Sequence, residues 1–205
     1  MSKKIMFNDK FALTQAVLDG TKTMTRRIEK PLMADGYTME DVATIFHEYS
    51  SLLNAYSFSL HDKEKQIGVL RPRYQVGEVV AIAQSYKTLY PNADFEMEDS
   101  YHFLTESKGW NNKLFVKADL LPHHIKITDV RMERLQAISD DDIMREGIEY
   151  ANGGYYVNYN KETHSRTWLG NDPRKAFSAL INKISGKGTW LRNPWVVVYE
   201  FEKVD

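Results

Sequence analysis

The chain has 205 residues, of which 42% are hydrophobic and 12% aromatic, so it carries enough apolar material for one real core and reads most simply as one domain with insertions. Its 27 lysines and arginines nearly cancel 28 aspartates and glutamates, leaving a net charge of -1, so a long phosphate backbone would need a local basic patch to hold it. The absence of cysteine excludes disulfides, thiolate metal sites and cysteine nucleophiles, and no apolar run has the length of a signal-peptide core or a bilayer span, so the expected setting is cytoplasmic.

Taken in order, Ile5-Met6-Phe7 reads as an opening strand, and Asn8 or Asp9 offers an oxygen to cap a following helix. In that helix Leu13, Ala16, Val17 and Gly20 share one face, with Gly20 suited to the left-handed position after the last turn. The basic stretch that follows, Lys22 to Arg27, then starts at a helix end and becomes extended through residues 23–28. Thr38-Met39-Glu40-Asp41 has the form of a capping box, and Val42, Ile45, Phe46, Tyr49, Leu52, Leu53 and Tyr56 keep helical spacing, so a second helix is expected there with its aromatic stripe as a packing face.

Residues 71–78 form a turn into Val79-Val80-Ala81-Ile82-Ala83, a run apolar enough for a buried strand, with Gln84, Ser85 and Tyr86 at its exit. A polar loop spans residues 91–99, and Tyr101 to Leu104 and Leu114 to Val116 read as weaker strands. His124 to Arg134 alternates most clearly, with Ile125, Ile127 and Met132 on one face and an interruption at Asp129. Ser139 caps a short helix whose first turn is Asp140-Asp141-Asp142, and Gly147 closes it one residue after Glu146. Residues 152–159 look like a turn or hairpin. Asp172-Pro173 opens another helix with Ala176, Phe177, Leu180, Ile181 and Ile184 on its buried face, and Trp195 to Phe201 reads as a central strand.

This order lacks regular strand-helix alternation, so a doubly wound parallel sheet is disfavoured. The expected fold is α+β, a mostly antiparallel, partly closed β-barrel with flanking helices.

Three groups of residues carry candidate chemistry. A lysine of lowered pKa can act as a general base, a threonine hydroxyl three residues on as its nucleophile, and an arginine as the group that orients a carbonyl or phosphate, which singles out Lys22, Thr25, Arg26 and Arg27. The ordinary reading of the same residues is dipole complementation and strand propensity. Glu146, in the last turn of its helix, sits where the dipole disfavours negative charge, so a cationic partner is expected, with Lys22 or an arginine of the opening stretch as candidates. Finally, Tyr86, Trp110, Tyr155, Tyr156, Trp168 and Trp190 offer stacking surfaces, Trp168 and Trp190 being the best placed for partial exposure, while Arg71 and Arg73 could meet phosphates. The six histidines (His47, His61, His102, His123, His124 and His164) show no metal-ligand spacing, and no phosphate-cradling glycine loop precedes a helix, so neither a metal nor a cofactor is expected.

The run Gly20-Thr21-Lys22-Thr23-Met24-Thr25-Arg26-Arg27 resembles a motif of the ASCH domain family. So do Tyr74-Gln75-Val76-Gly77-Glu78 before a buried strand, residues 129–139 leading into Glu146-Gly147, and the closing Asn193-Pro194-Trp195-Val196. The resemblance spans nearly the whole chain and is nearest to the larger form found in bacterial and prophage genomes. It implies a PUA-like barrel, a fold associated with RNA binding, and a ligand cleft where the lysine motif meets the acidic residue. One small branch of that family removes an acyl group from the exocyclic nitrogen of cytidine with a lysine, a threonine and a glutamate, which fall here on Lys22, Thr25 and Glu146. Against that branch, this chain is about twice as long, with insertions near 38–68, 90–112 and 150–171, and carries Gln84 where larger relatives often have glutamate.

The expected function is recognition of a nucleobase, modified nucleoside or short single-stranded RNA, with Lys22, Thr25 and Glu146 at the centre and Arg26, Arg27, Arg71, Arg73, Gln84 and Tyr86 as further contacts. The alternatives are an amidohydrolase acting on an N4-acylcytidine and a prophage interaction domain with a vestigial cleft. No membrane partner is expected, and the oligomeric state is left open.

Overall fold

The computed structural model describes residues 2–51, 54–91, 105–157 and 166–204. Strand β1 (Lys4–Ile5) leads through a 3-10 turn at Asp9–Phe11 into helix α1 (Leu13–Leu18), and β2 (Met24–Arg27) follows the basic bend. Neither Asn8 nor Asp9 caps α1 through its side chain. The Asn8 carbonyl accepts from the Leu13 amide at 3.0 Å, and the Asp9 carboxylate instead receives the Thr14 hydroxyl and the Lys113 ammonium.

The helix expected from Thr38 is absent, and a β-meander stands in its place. After β3 (Leu32–Met33), β4 (Thr44–Ser50), β5 (Ala55–Asp62) and β6 (Lys65–Leu70) pair antiparallel in the order β3-β6-β5-β4. Half of the capping box does form, since the Thr38 amide donates to Asp41 Oδ2 at 2.8 Å, but it closes a turn rather than opening a helix. Cross-strand aromatic contacts decide the outcome: Tyr49 meets Tyr56 at 4.9 Å, His47 stacks on Phe58 at 4.8 Å, and Phe46 meets His61 edge-on at 4.9 Å. Leu52 and Leu53, part of the helical pattern, lie outside the described residues.

Next come β7 (Val79–Ile82), with Val80, Ala81 and Ile82 buried, and the short α2 (Tyr86–Leu89). The strand expected at Tyr101 to Leu104 lies outside the described residues, and the one expected at Leu114 to Val116 is a 3-10 turn at Lys113–Phe115. The Lys4 ammonium fixes that turn by donating to the carbonyls of Lys113, Leu114 and Val116. Strand β8 (His124–Arg134) has the expected bounds, and one step along its partner spans two residues of β8, Ile127 to Asp129, so Thr128 is a bulge. The bulge is what lets Ile125, Ile127, Val130 and Met132 all turn toward the core.

Helix α3 (Asp140–Arg145) is capped by Ser139, whose hydroxyl accepts from the Asp142 amide at 3.1 Å. Strands β9 (Glu149–Ala151) and β10 (Gly154–Val157) join through Asn152 and Gly153, with φ of 50° and 77° as a type I′ hairpin requires; residues 158 and 159 of the expected hairpin lie outside the described residues. Strand β11 (Thr167–Gly170) completes a three-stranded sheet β11-β10-β9. Helix α4 (Pro173–Ser185), capped by Asp172 at 2.8 Å from the Lys175 amide, is followed by α5 (Thr189–Arg192) and the last strand, β12 (Trp195–Lys203).

The main sheet runs β1-β7-β8-β12-β2, antiparallel except for β1 and β7, with β12 flanked on both sides as a valine-rich strand demands. The class is therefore α+β with mostly antiparallel sheets. Among the described residues the main sheet does not close through backbone pairing; a side chain links its two ends, Arg27 of β2 donating a 2.7 Å bond to the Met6 carbonyl just past β1. One hydrophobic cluster joins side chains of all three sheets, among them Leu60 and Ile67, Val157 and Leu169, and Ile125 with Val197. Among the described residues no helix is long and apolar enough to cross a membrane.

Candidate functional site

The bend between α1 and β2 builds one wall of the site. Gly20 takes a left-handed conformation (φ 75°), the amides of Thr21 and Lys22 both donate to the Ala16 carbonyl at 2.9 Å, and the chain turns inward. The Lys22 side chain ends at the last turn of α3, 2% exposed. Its ammonium donates to the Met24 carbonyl at 2.7 Å, the Glu146 carbonyl at 2.7 Å and Glu146 Oε2 at 2.6 Å. An ammonium has three protons to donate, so these bonds occupy it completely. Burial lowers the Lys22 pKa below the usual lysine value, opposed by the neighbouring Glu146 carboxylate.

Arg26 meets the same carboxylate from the other side, with Nη1 3.2 Å from Glu146 Oε1, so the charge that the helix dipole disfavours is met by two cations. Arg26 is itself enclosed by carboxylates, at 2.8 Å from Glu133 and 2.8 Å from Asp142. On the sheet, Arg26 and Arg131 both lie opposite Val198 from the two sides of β12, and Asp142 of α3 sits over them, 3.2 Å from Arg131. Arg131 also pairs with Glu200, which Arg145 reaches at 2.6 Å. Burying these charges is tolerable because each is paired and hydrogen-bonded. For Arg26, burial acts to lower the pKa, but Glu146 and Glu133 prevail and raise it.

Lys22, Thr25, Arg26, Arg27, Arg73 and Glu146 line one cleft of ≈ 590 Å³ between the free edge of β2, the chain after β1, and α4. Phe7 lies between two of its cations, 5.9 Å from the Lys22 ammonium and 5.6 Å from the Arg27 guanidinium. Leu13, Leu135, Phe177 and Leu180 add apolar wall. Thr25 is 7% exposed, and its hydroxyl makes no hydrogen bond with another described residue, Lys22 included. Arg27 Nε is buried and likewise unpartnered.

The remaining expected contacts lie elsewhere. Arg71 borders a separate hollow formed with Leu32, Met33 and Gly68. Gln84 is buried at the exit of β7 with Oε1 unpartnered, and Tyr86 packs beside Ala81, Val116 and Leu121, so neither reaches the cleft. Trp168 is exposed (61%) on β11 and Trp190 is half-buried against Phe177; the rings that line the cleft are Phe7 and Phe177.

The cleft also contains residues the sequence did not single out: Phe7, Glu29 and Lys30, and the far end of α4. Ile184, 37% exposed, carries the apolar face of α4 past the covered core, and that overlong stripe was the available signal. Among the described residues no group of three or more histidine, aspartate or glutamate side chains is placed to hold a metal ion. Comparison with models of known families, with curated proteins and with solved structures returned no match to the chain.

Proposed function

We propose that the cleft recognises a nucleobase, a modified nucleoside or a short RNA, and that the main sheet is a partly closed barrel of the PUA-like, ASCH type. The observation that carries the binding reading is the contrast between Lys22 and Thr25. The Lys22 ammonium is fully engaged and presents no lone pair to the threonine, whereas the Thr25 hydroxyl is free to bond a ligand. The volume, ≈ 590 Å³, is that of a small-molecule site, and the lining combines apolar side chains with seven charged ones. Phe7 and Phe177, both buried, contribute apolar lining beside the polar groups.

The second reading, hydrolysis of an N4-acylcytidine, draws on Lys22, Thr25 and Glu146 lining the same wall and on the burial that lowers the Lys22 pKa. It requires Lys22 to give up one of three protons, each of which is donated to its own acceptor. The test is calorimetric titration with nucleosides, N4-acylcytidine and short RNAs, beside a Thr25→Val variant that keeps the shape. Binding weakened about fivefold to tenfold by the loss of one hydroxyl bond is expected. No binding by any of these ligands sinks the proposal, and release of free cytidine by the parent but not the variant replaces recognition with hydrolysis.

A further inference from the structure

The cleft divides into two electrostatic zones. Its lining holds five cationic side chains, Lys22, Arg26, Arg27, Lys30 and Arg73, against two carboxylates, Glu29 and Glu146, in a chain whose overall charge is -1. In the buried zone Glu146 is neutralised by Lys22 and Arg26, and Arg26 is further paired with Glu133 and Asp142. The remaining three cations, Arg27, Lys30 and Arg73, are set against one remaining carboxylate, Glu29. None of the three forms an ion pair with a described carboxylate, and Arg27 Nε has no hydrogen-bond partner at all.

Glu29, the carboxylate nearest to them in sequence, spends its oxygens on neutral donors. Oε1 accepts from the Tyr199 hydroxyl at 2.6 Å and Oε2 from the Arg73 amide at 3.1 Å. The second bond ties the turn carrying Arg73 to the end of β2, and the single Glu29 charge, which acts to raise the Arg27 pKa, offsets only part of the positive charge that Arg27, Lys30 and Arg73 bring to the cleft lining. Holding an excess of like charges together costs free energy: burial lowers the Arg27 pKa, Glu29 acts to raise it, and Arg73 adds a smaller lowering. A bound dianion relieves that cost, and planar guanidinium forks match phosphate oxygens two at a time.

From these residues we infer that Arg27, Lys30 and Arg73 form a phosphate subsite at the outer end of the cleft, so that its ligand is a phosphorylated nucleoside, free or within RNA, rather than a neutral nucleoside. The inference rests on the proposed nucleobase recognition for the identity of the organic part, and on the unpaired cations alone for the phosphate.

The test compares nucleosides, including N4-acylcytidine, with their 5′-monophosphates, with inorganic phosphate and with a trinucleotide bearing only internal phosphates. Each is titrated calorimetrically into the parent and into a Lys30→Gln/Arg73→Gln variant. Both substituted side chains are exposed, so folding is expected to survive, and Arg27→Gln, whose side chain also bonds the Met6 carbonyl, serves as a second variant. The expected result is a monophosphate binding about tenfold or more tighter than its nucleoside, the gain of one charge-assisted hydrogen bond, with that gain abolished by high salt and by the double variant. An equal gain from the trinucleotide supports the subsite with the RNA backbone as its source. Equal affinity for nucleoside and monophosphate, or a gain that survives in the double variant, overturns the subsite and leaves nucleobase recognition standing. Inorganic phosphate bound by the parent alone, with no nucleoside bound, upholds the subsite and removes nucleobase recognition; no binding by any probe removes both.

Discussion

Glu200 shows how the charged layer behind the cleft sets an acid limit on stability. Burial acts against ionisation of its carboxyl, but hydrogen bonds from Arg145 and Arg131 outweigh that and hold its pKa below the ordinary glutamate value of 4.5. A carboxyl whose folded-state pKa is depressed contributes stability that is complete above the unfolded value and lost as pH falls through the folded one. The parent and a Glu200→Gln variant are therefore expected to differ most near neutrality, with the parent more stable. Their urea-unfolding free energies should converge as pH drops below 4.5; a gap that stays constant into acid contradicts this role for Glu200. The same layer marks what was legible in single residues. A glutamate at a helix end calls for a cation by elementary electrostatics, and Lys22 and Arg26 both answer it. Glu133 and Asp142 gave no such sign, because a carboxylate on a strand or in the first turn of a helix has an ordinary explanation and acquires its partners only when β2, β8 and α3 are brought together.

At the scale of elements, the junction after α3 couples backbone shape to the site. Gly147 has φ +92°, and a Cβ there would lie 3.3 Å from Lys22 Cβ and 3.3 Å from Leu13 Cδ2. Gly153, at φ +77° in the β9-β10 turn, has nothing within 4 Å. Alanine at either position incurs the left-handed conformational cost of about 1–2 kcal/mol, so Gly153→Ala measures that cost alone. Gly147→Ala is expected to lose more in urea unfolding and to weaken ligand binding, because Lys22 must shift; equal losses with intact binding would show the contact to be slack. The meander at residues 44–70 shows where element-level reading failed. Ile45, Phe46, Tyr49 and Tyr56 do fall at helical spacing, and β4, an edge strand exposed along most of its length, needs no alternation of buried and exposed residues to reveal itself. What selects the strand is a partner, β5, whose Tyr56 and Phe58 supply aromatic contacts that a lone helix lacks. By contrast β8 and α4 were legible because each carries its own pattern: alternation around one bulge in the first, and an aspartate cap with proline in the first turn in the second.

At the scale of the whole molecule, the question is whether the three sheets fold as one unit. Among the described residues the meander β3-β6-β5-β4 shares no backbone pairing with the main sheet, which alone would suggest a separately melting body. Two observations argue otherwise. Phe58, Leu60, Ile67 and Leu70 belong to the same hydrophobic cluster as Ile125 and Val197, and the Gln75 side chain, in the turn before β7, accepts from the Tyr56 amide at 2.6 Å and donates to the Tyr56 carbonyl at 3.3 Å. A strand whose apolar face completes the core of another sheet cannot leave without exposing both surfaces, so the free energy of the meander is tied to that of the whole chain. Phe58, 2% exposed at the centre of β5, is the place to test this. Phe58→Ala is expected to lower the global unfolding free energy by about 3–5 kcal/mol, shifting near-UV and far-UV circular dichroism transitions together, because the cavity it leaves is felt by the shared core. Two separated transitions, with the first alone moved by the substitution, would mean instead that residues 32–70 form an independent unit resting on the main sheet. In that case Arg73, at the hinge between them, would be free to swing with the meander and the outer end of the cleft would not be preformed.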